Sequence, residues 1–442
     1  MWNNPEFKRN LWLEFSVHRL IAAPLLLTLL FVIVAMQTAE PNNAWDAVAT
    51  AASIVFLLAT HVWGTYLAID SISDEIRNRT WDNQRLSALS PFKLGWGKLF
   101  GATAFAWYIG LPCLVLLVVA RQHVSATYPD TLVSVCALLA GTLLMQGLGL
   151  MSAIVGLKTN TVAPRAVQLV LIFFTLVAIS AYSDISQSTV LINWYGIKMP
   201  ANQHTVLGFT LFTAWIWLAC YRNMQAVLQI KTRPWAMVAF VIFCTTYVNG
   251  FVSDGIQQKQ PLVVWLILPS FISIIGVYLG AFTEKRDWVS IRRFFKVWHN
   301  STVSLALKDT PYFVALAVFG LFALLPLGVM TVYKSMAEAD NSGVFLPIAF
   351  VLMLRDIGLL YYFSLGRKPA RATMATVFYL VLLYVLIPAL FQDSLVASLF
   401  NPLIFFKANE PNFYIAMTTA LLHFSVVAGL LYRRYANIRQ QM

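Results

Sequence analysis

Charge is scarce in this chain. Of 442 residues, 11% are Asp, Glu, Lys or Arg, while 59% are hydrophobic. A soluble domain carries roughly 25% charged residues, and a soluble chain this apolar could not cover its surface with polar groups. Cysteine is scarce as well. Cys113, Cys136, Cys220 and Cys244 all fall in apolar runs, too scattered for a metal site, which leaves them as small apolar filler. No Gly-x-x-x-x-Gly-Lys-Ser/Thr sequence occurs, and Gly95-Trp96-Gly97-Lys98-Leu99 is not one, so the chain offers no P-loop. No His, Asp, Glu or Cys cluster has catalytic spacing, which speaks against a membrane enzyme. No stretch is long and polar enough for a soluble domain, so the net charge of +12 has no nucleic-acid-binding domain to serve. A cleavable signal peptide is not expected, because the first apolar run follows a basic segment and lacks a small-residue cleavage site.

Long apolar runs are abundant. In a bilayer the lipid-facing surface must be apolar and every backbone group must pair internally. Barrel strands would alternate residue by residue, which these runs do not. Segments of ~20 mostly apolar residues fit at 20–37, 48–69, 99–120, 131–156, 165–182, 204–220, 235–252, 261–282, 312–333, 343–364, 373–391 and 412–432. The stretch 184–203, with Asn193, Trp194, Tyr195 and Gly196, is a candidate interfacial segment. The expected fold is therefore an all-α polytopic membrane protein of about twelve transmembrane helices.

Basic residues orient this layout. With the N-terminus inside, 25 of the 31 Lys and Arg residues fall on the inner side, 5 fall outside, and Arg355 lies within a span. That bias sets orientation by the positive-inside rule and places both termini in the cytoplasm, with the basic surplus contacting anionic lipid. The longest non-membrane stretches, near 70–98 and 283–311, each follow the second span of a six-span half. This divides the chain near Pro234 into halves 1–233 and 234–442, without a clear residue-level repeat.

Two segments read as surface helices. Asn4-Pro5-Glu6 is a helix start. Phe7, Leu11 and Phe15 then recur on one face beside Trp12, with Lys8, Arg9 and Arg19 supplying charge. This is either an interfacial amphipathic helix or a plain extension of the first span. In 284–300, Trp288, Ile291, Phe295 and Trp298 share a face, with Arg292, Arg293 and Lys296 on the rest. That segment is either a lipid anchor or a docking surface for a partner.

The loop 71–98 is the most informative stretch. Glu75 closes the second span. Thr80 is placed to cap a short helix whose first turn holds Trp81, Asp82 and Asn83. Ser90-Pro91 should end that helix. Trp96 and Lys98 then re-enter the membrane at headgroup depth. Trp81, flanked by Arg79 and Arg85, is the expected anchor of a projecting surface.

This order resembles an element of the type 2 ABC transporter permeases, the membrane subunits of exporters. They carry, after their second span, an acid, a Gly-Thr or Arg-Thr step, a Leu-rich helix, Ser-Pro and a Gly-Lys pair. Here those positions are Glu75, Arg79-Thr80, Leu86 and Leu89, Ser90-Pro91 and Gly97-Lys98. The resemblance covers residues 1–230. It implies a coupling helix that docks on a separate ATP-binding subunit through Glu75, Arg79, Thr80, Trp81, Asp82, Arg85, Leu86 and Pro91. ATP and Mg would then sit on that partner, and no cofactor in this chain. It also implies residence in a bacterial inner (plasma) membrane, pairing as a homodimer or pseudo-dimer, and export of a lipid-like or amphipathic substrate. The loop 283–311 lacks the Thr and Ser-Pro pattern.

Polar residues inside spans are the remaining candidates. An ionised side chain at the bilayer centre costs ~2.5–3.5 kcal/mol, so Arg355, Asp356, His61 and His423 should face protein or water. Adjacent helical residues point about 100° apart, so Arg355 and Asp356 need not pair with each other. A structural role and a part in ion coupling both fit these four residues. The latter would make the chain an ion-coupled secondary transporter.

Overall fold

The computed structural model describes residues 4–38, 41–87, 89–124, 128–159, 190–230, 234–251, 261–284, 286, 288–300, 302–335, 345–366, 371–391, 399–401 and 413–440. It divides into two compact units, Met1–Thr232 and Arg233–Met442. Among the described residues, nine helices are long and apolar enough to cross a membrane. Two shorter apolar helices, Trp235–Asn249 and Tyr312–Leu327, stand at two further expected spans. The expected span 165–182 lies outside the described residues. The chain is thus a helical, multi-pass membrane protein.

Unit 1 begins with α1 (Pro5–Glu14) and α2 (Val17–Met36). The Asn4 side chain caps α1 by accepting from the Glu6 N–H, with Pro5 at the first helical position. Next comes a long helix in three parts: α3 (Pro41–Phe56), a π-helical turn (Leu57–Trp63) and α4 (Gly64–Arg77). Its 34 residues from Ala44 to Arg77 span roughly 50 Å at 1.5 Å per residue. A hydrocarbon core is only ~30 Å thick. The helix is thus longer than that core is thick, and Asp70, Asp74, Glu75 and Arg77 gather at one end of it.

After α5 (Trp81–Arg85) and α6 (Pro91–Trp96), a second π turn (Gly97–Gly101) leads into α7 (Ala104–His123) and then α8 (Tyr128–Thr159). A β-hairpin follows where an interfacial segment was expected. Strands β1 (Leu191–Trp194) and β2 (Ile197–Pro200) pair antiparallel, with Trp194 opposite Ile197. Tyr195 (φ +52°) and Gly196 (φ +78°) both turn left-handed, the geometry of a two-residue type I′ connection. The hairpin leads directly into α9 (Ala201–Val227).

Two apolar clusters fill unit 1. One gathers Val48, Ala52, Phe56, Cys113 and Leu117. The other gathers Ile69, Ile72, Leu94, Leu150, Ile154 and Met224 at the end bearing the 71–98 segment.

Unit 2 comprises α10 (Trp235–Asn249), α11 (Pro261–Thr283), α12 (Trp288–Asn300), α13 (Val303–Asp309), α14 (Tyr312–Ser335), α15 (Phe345–Ser364) and α16 (Ala372–Val381). A π turn (Leu382–Leu386), α17 (Ile387–Leu390) and α18 (Phe413–Gln440) complete it. Its core packs Val277, Leu316, Leu327, Leu346, Met353 and Leu360. Helix α15 is its most buried span.

Candidate functional site

The 71–98 segment is built on the way α4 stops. Thr80 N–H bonds to Glu75 O at 2.9 Å, and Arg79 N–H bonds to Ile76 O at 3.2 Å. Arg79 lies in the left-handed region (φ +55°). This is a Schellman turn, which satisfies the last helical carbonyls and usually places Gly at the left-handed position. The expected cap by Thr80 does not form. Its backbone is helical rather than extended and no side-chain cap bond is present, because Thr80 already closes the preceding helix. Ser90-Pro91 likewise starts a helix rather than ending one. Ser90 Oγ accepts from Lys93 N–H at 3.3 Å and Pro91 opens α6.

Glu75 was expected on a docking surface, but its side chain points inward and is 7% exposed. Glu75 Oε1 accepts from Arg9 Nη2 at 2.7 Å, from Lys98 Nζ at 2.7 Å and from Gln84 Nε2. Glu6 Oε1 accepts from Arg9 Nη2 at 3.1 Å and Asn10 Nδ2 at 3.0 Å, and lies 3.3 Å from Lys98 Nζ. Lys98, expected at headgroup depth, is wholly buried. Two carboxylates and two cations balance, which is what a low-dielectric site requires. Burial alone would lower the Arg9 guanidinium, but Glu6 and Glu75 outweigh it and hold its pKa above the ordinary value. Glu14, at the far end of α1, has its carboxyl raised by burial, against the pull of Arg19.

Glycine makes this junction possible. A Cβ on Gly97 would stand 2.8 Å from Glu6 Cβ, and one on Gly101 would stand 2.9 Å from Asn10 Cβ. Helix α1 thus lies in a groove cut by Gly97 and Gly101, with its polar face turned inward. Trp12 (85% exposed) and Leu13 face out, the reverse of a helix on a soluble core and suited to contact with lipid. Beside the junction, Arg9, Glu14, Asp70, Asp74, Glu75 and Thr80 line a polar cleft of about 270 Å³.

Trp81 was expected to point outward as the anchor. It is half-buried and packs on the apolar cluster of Ile72, Leu94 and Met224. What faces outward is Arg79, Thr80, Asp82, Arg85 and Leu86, the last 85% exposed. Pro91 is half-buried.

The intramembrane candidates form two separate networks, one in each unit. In unit 1, His61 sits in the first π turn, 4% exposed. Its Nδ1 is 2.9 Å from Thr142 Oγ1, which is 3.1 Å from Thr60 Oγ1. Gln146 Nε2 donates to Thr60 O at 3.0 Å, and Trp107 Nε1 donates to Gln146 Oε1 at 3.1 Å. His61, Thr60, Thr142, Gln146 and Trp107 bring no carboxylate, lysine or arginine to this network.

In unit 2, Arg355 and Asp356 are each 2% exposed. They do pair, Nε to Oδ1 at 2.8 Å, because the long Arg stem curls across the 100° offset. Asp356 Oδ2 also accepts from Tyr278 OH at 2.6 Å and Tyr384 OH at 2.8 Å. Arg355 Nη1 approaches His423 Nδ1 at 3.3 Å. Arginine can only donate, so in this contact the histidine nitrogen is the acceptor.

In α12, Arg292, Arg293 and Lys296 are exposed, and Trp298 Nε1 donates to Thr310 Oγ1 at 3.0 Å. Trp288 opens the helix.

Sequence reasoning missed Glu6, Arg9, Asn10, Gln84 and Lys98 at the junction, and Tyr278 and Tyr384 around Asp356. One signal was available. Glu6 and Asn10 share a helical face, and Gly97 and Gly101 have the same four-residue spacing.

Comparison of the chain with protein-family models, with curated proteins and with solved structures finds no match.

Proposed function

We propose that the chain is the membrane-spanning permease subunit of an ABC exporter in a bacterial inner membrane, with both termini cytoplasmic. In this reading a separate subunit binds ATP and Mg and docks on the 71–98 segment, and the chain exports a lipid-like or amphipathic substrate as a pair of units or of chains. The observation that carries the reading is the outward face of α5. Arg79, Asp82, Arg85 and Leu86 are exposed on and beside a short helix tied to the long span through the Schellman turn and the hydrogen bond from Gln84 to Glu75. A push on that face would be passed to the span through these bonds.

The test is purification of the tagged chain from its native membranes, with detection of a Walker-motif subunit and of bound ATPase activity. Leu86→Ser should weaken retention of that subunit at least tenfold, the loss of a hot spot worth ~2 kcal/mol. Purification of a transport-competent chain with no ATPase would overturn the reading. The buried Arg355–Asp356 pair, with the half-buried His423 beside it, favours a second reading, an ion-coupled secondary transporter. Transport into vesicles driven by an ion gradient without nucleotide distinguishes it.

A further inference from the structure

Helix α12 (Trp288–Asn300) is held at the ends of two apolar helices of unit 2. Four residues separate it from the end of α11, at most about 18 Å of chain. Tyr312 N–H, at the start of α14, donates to Glu284 Oε1 at 2.6 Å, just past the end of α11. Trp298 Nε1 donates to Thr310 Oγ1 at 3.0 Å, two residues before α14. Helix α11 holds a membrane-length apolar run, Trp265–Phe282, and α14 holds the apolar run Tyr312–Leu327. Helix α12 therefore lies level with the ends of these runs, where lipid headgroups surround a membrane protein. Among the described residues it packs mainly on α13.

Its open side joins rings to bases. At about 100° per residue, Trp298, Phe295, Arg292 and Lys296 follow one another around the helix. Phe295 is 59% exposed and Trp298 44%, and both bases are exposed. Neither base has an ion-pair partner among the described residues. No acidic residue occurs from Trp288 to Lys308, so nothing on this stretch offsets the positive charge. Water penalises the exposed rings, whereas the boundary between headgroups and acyl chains accepts rings and bases together. We infer that α12 docks on an anionic phospholipid surface, with Phe295 and Trp298 among the upper acyl carbons and Arg292 and Lys296 on headgroup phosphates. This docking does not depend on the transport reading.

Trypsin cuts after Arg292, Arg293 and Lys296, so the unaltered full chain supplies the first test. In nanodiscs of phosphatidylglycerol these sites should be cut at least about tenfold more slowly than in nanodiscs of phosphatidylcholine. Cleavage after Arg439, exposed near the C-terminus, should be equal in the two lipids and serves as the control. High salt should shrink the difference, because it screens the headgroup charge. Arg292→Gln with Lys296→Gln should abolish it, read by cleavage after Arg293. Phe295→Ser should speed cleavage in phosphatidylglycerol several-fold. All three altered side chains are exposed, so both variants should melt like the wild type in detergent, which separates lost docking from misfolding. Equal wild-type cleavage in the two lipids, or wild-type protection of Arg293 in the double variant, would overturn the inference and leave this face to a soluble protein partner.

Discussion

Glu75 in unit 1 and Asp356 in unit 2 are both buried carboxylates, but they are held by different means. Glu75 sits where a long span leaves the hydrocarbon. Its partners Arg9, Gln84 and Lys98 come from three other segments, and Arg9 stays 46% exposed. Asp356 sits inside a span, paired with its own neighbour Arg355 and saturated by two tyrosine hydroxyls. The first arrangement joins surface helix to span and has a solvated edge through Arg9. The second joins α11, α15 and the π turn after α16, and its ion pair is all but sealed. Near water, charge can tie together segments far apart in sequence. Deep in a span, charge must be neutralised nearby and covered with neutral donors.

This contrast sets a scale of expected effects. The largest is Asp356→Ala, which strands Arg355 without a counter-charge and should cost about 3–5 kcal/mol, read as a steep fall in melting temperature in detergent. Replacing the pair together, Arg355→Met with Asp356→Leu, should recover much of that loss if the pair is structural. Equal melting of Asp356→Ala and wild type would erase the contrast. Next is Lys98→Met, which leaves Glu6 and Glu75 to share Arg9. About 2–3 kcal/mol is expected, smaller because the site has an exposed edge. Limited proteolysis should then release α1, whereas in Asp356→Ala cleavage should begin in unit 2.

Gly97→Leu sharpens the same point without touching charge. Overpacking against Glu6 should cost about 1–3 kcal/mol and expose Lys8 and Arg9 to trypsin. Unchanged protection of α1 would mean that the helix is not seated by that groove. The smallest effect concerns the Schellman turn. Arg79→Gly should melt within about 0.5 kcal/mol of wild type, since relief of left-handed strain and added unfolded-state entropy nearly cancel. Arg79→Val should lose about 1–2 kcal/mol, because a β-branched residue resists positive φ. Equal melting of the two would show that Arg79 is held by its side chain.

Much of the membrane-spanning framework was legible because the apolar runs are long and the few charges lie mainly between them. The start of α1 was legible as well, since Asn4-Pro5-Glu6 is a local signal that needs no partner. The hairpin was not, because its turn residues are Tyr195-Gly196 rather than Asn-Gly or Asp-Gly, and the flanking apolar residues look like a span edge. Trp81 was misplaced for a related reason. Size and position mark it as an anchor, yet an indole beside a membrane-end core gains more by packing against Ile72 and Leu94 than by facing water.

Composition and periodicity by themselves determined that this chain is helical, crosses a membrane several times, and carries charged segments between its spans, because lipid imposes the same apolar length on each span wherever it lies. Tertiary structure alone decided which charges meet. Glu6, Glu75 and Lys98 lie far apart in sequence and become neighbours only when α1 settles on Gly97 and Gly101. Asp356 finds Tyr278 and Tyr384 only when three spans pack. Hydrophobic burial is nearly additive along the chain and can be read residue by residue. A buried charge is settled by atoms within about 3 Å, and their identity depends on the whole fold.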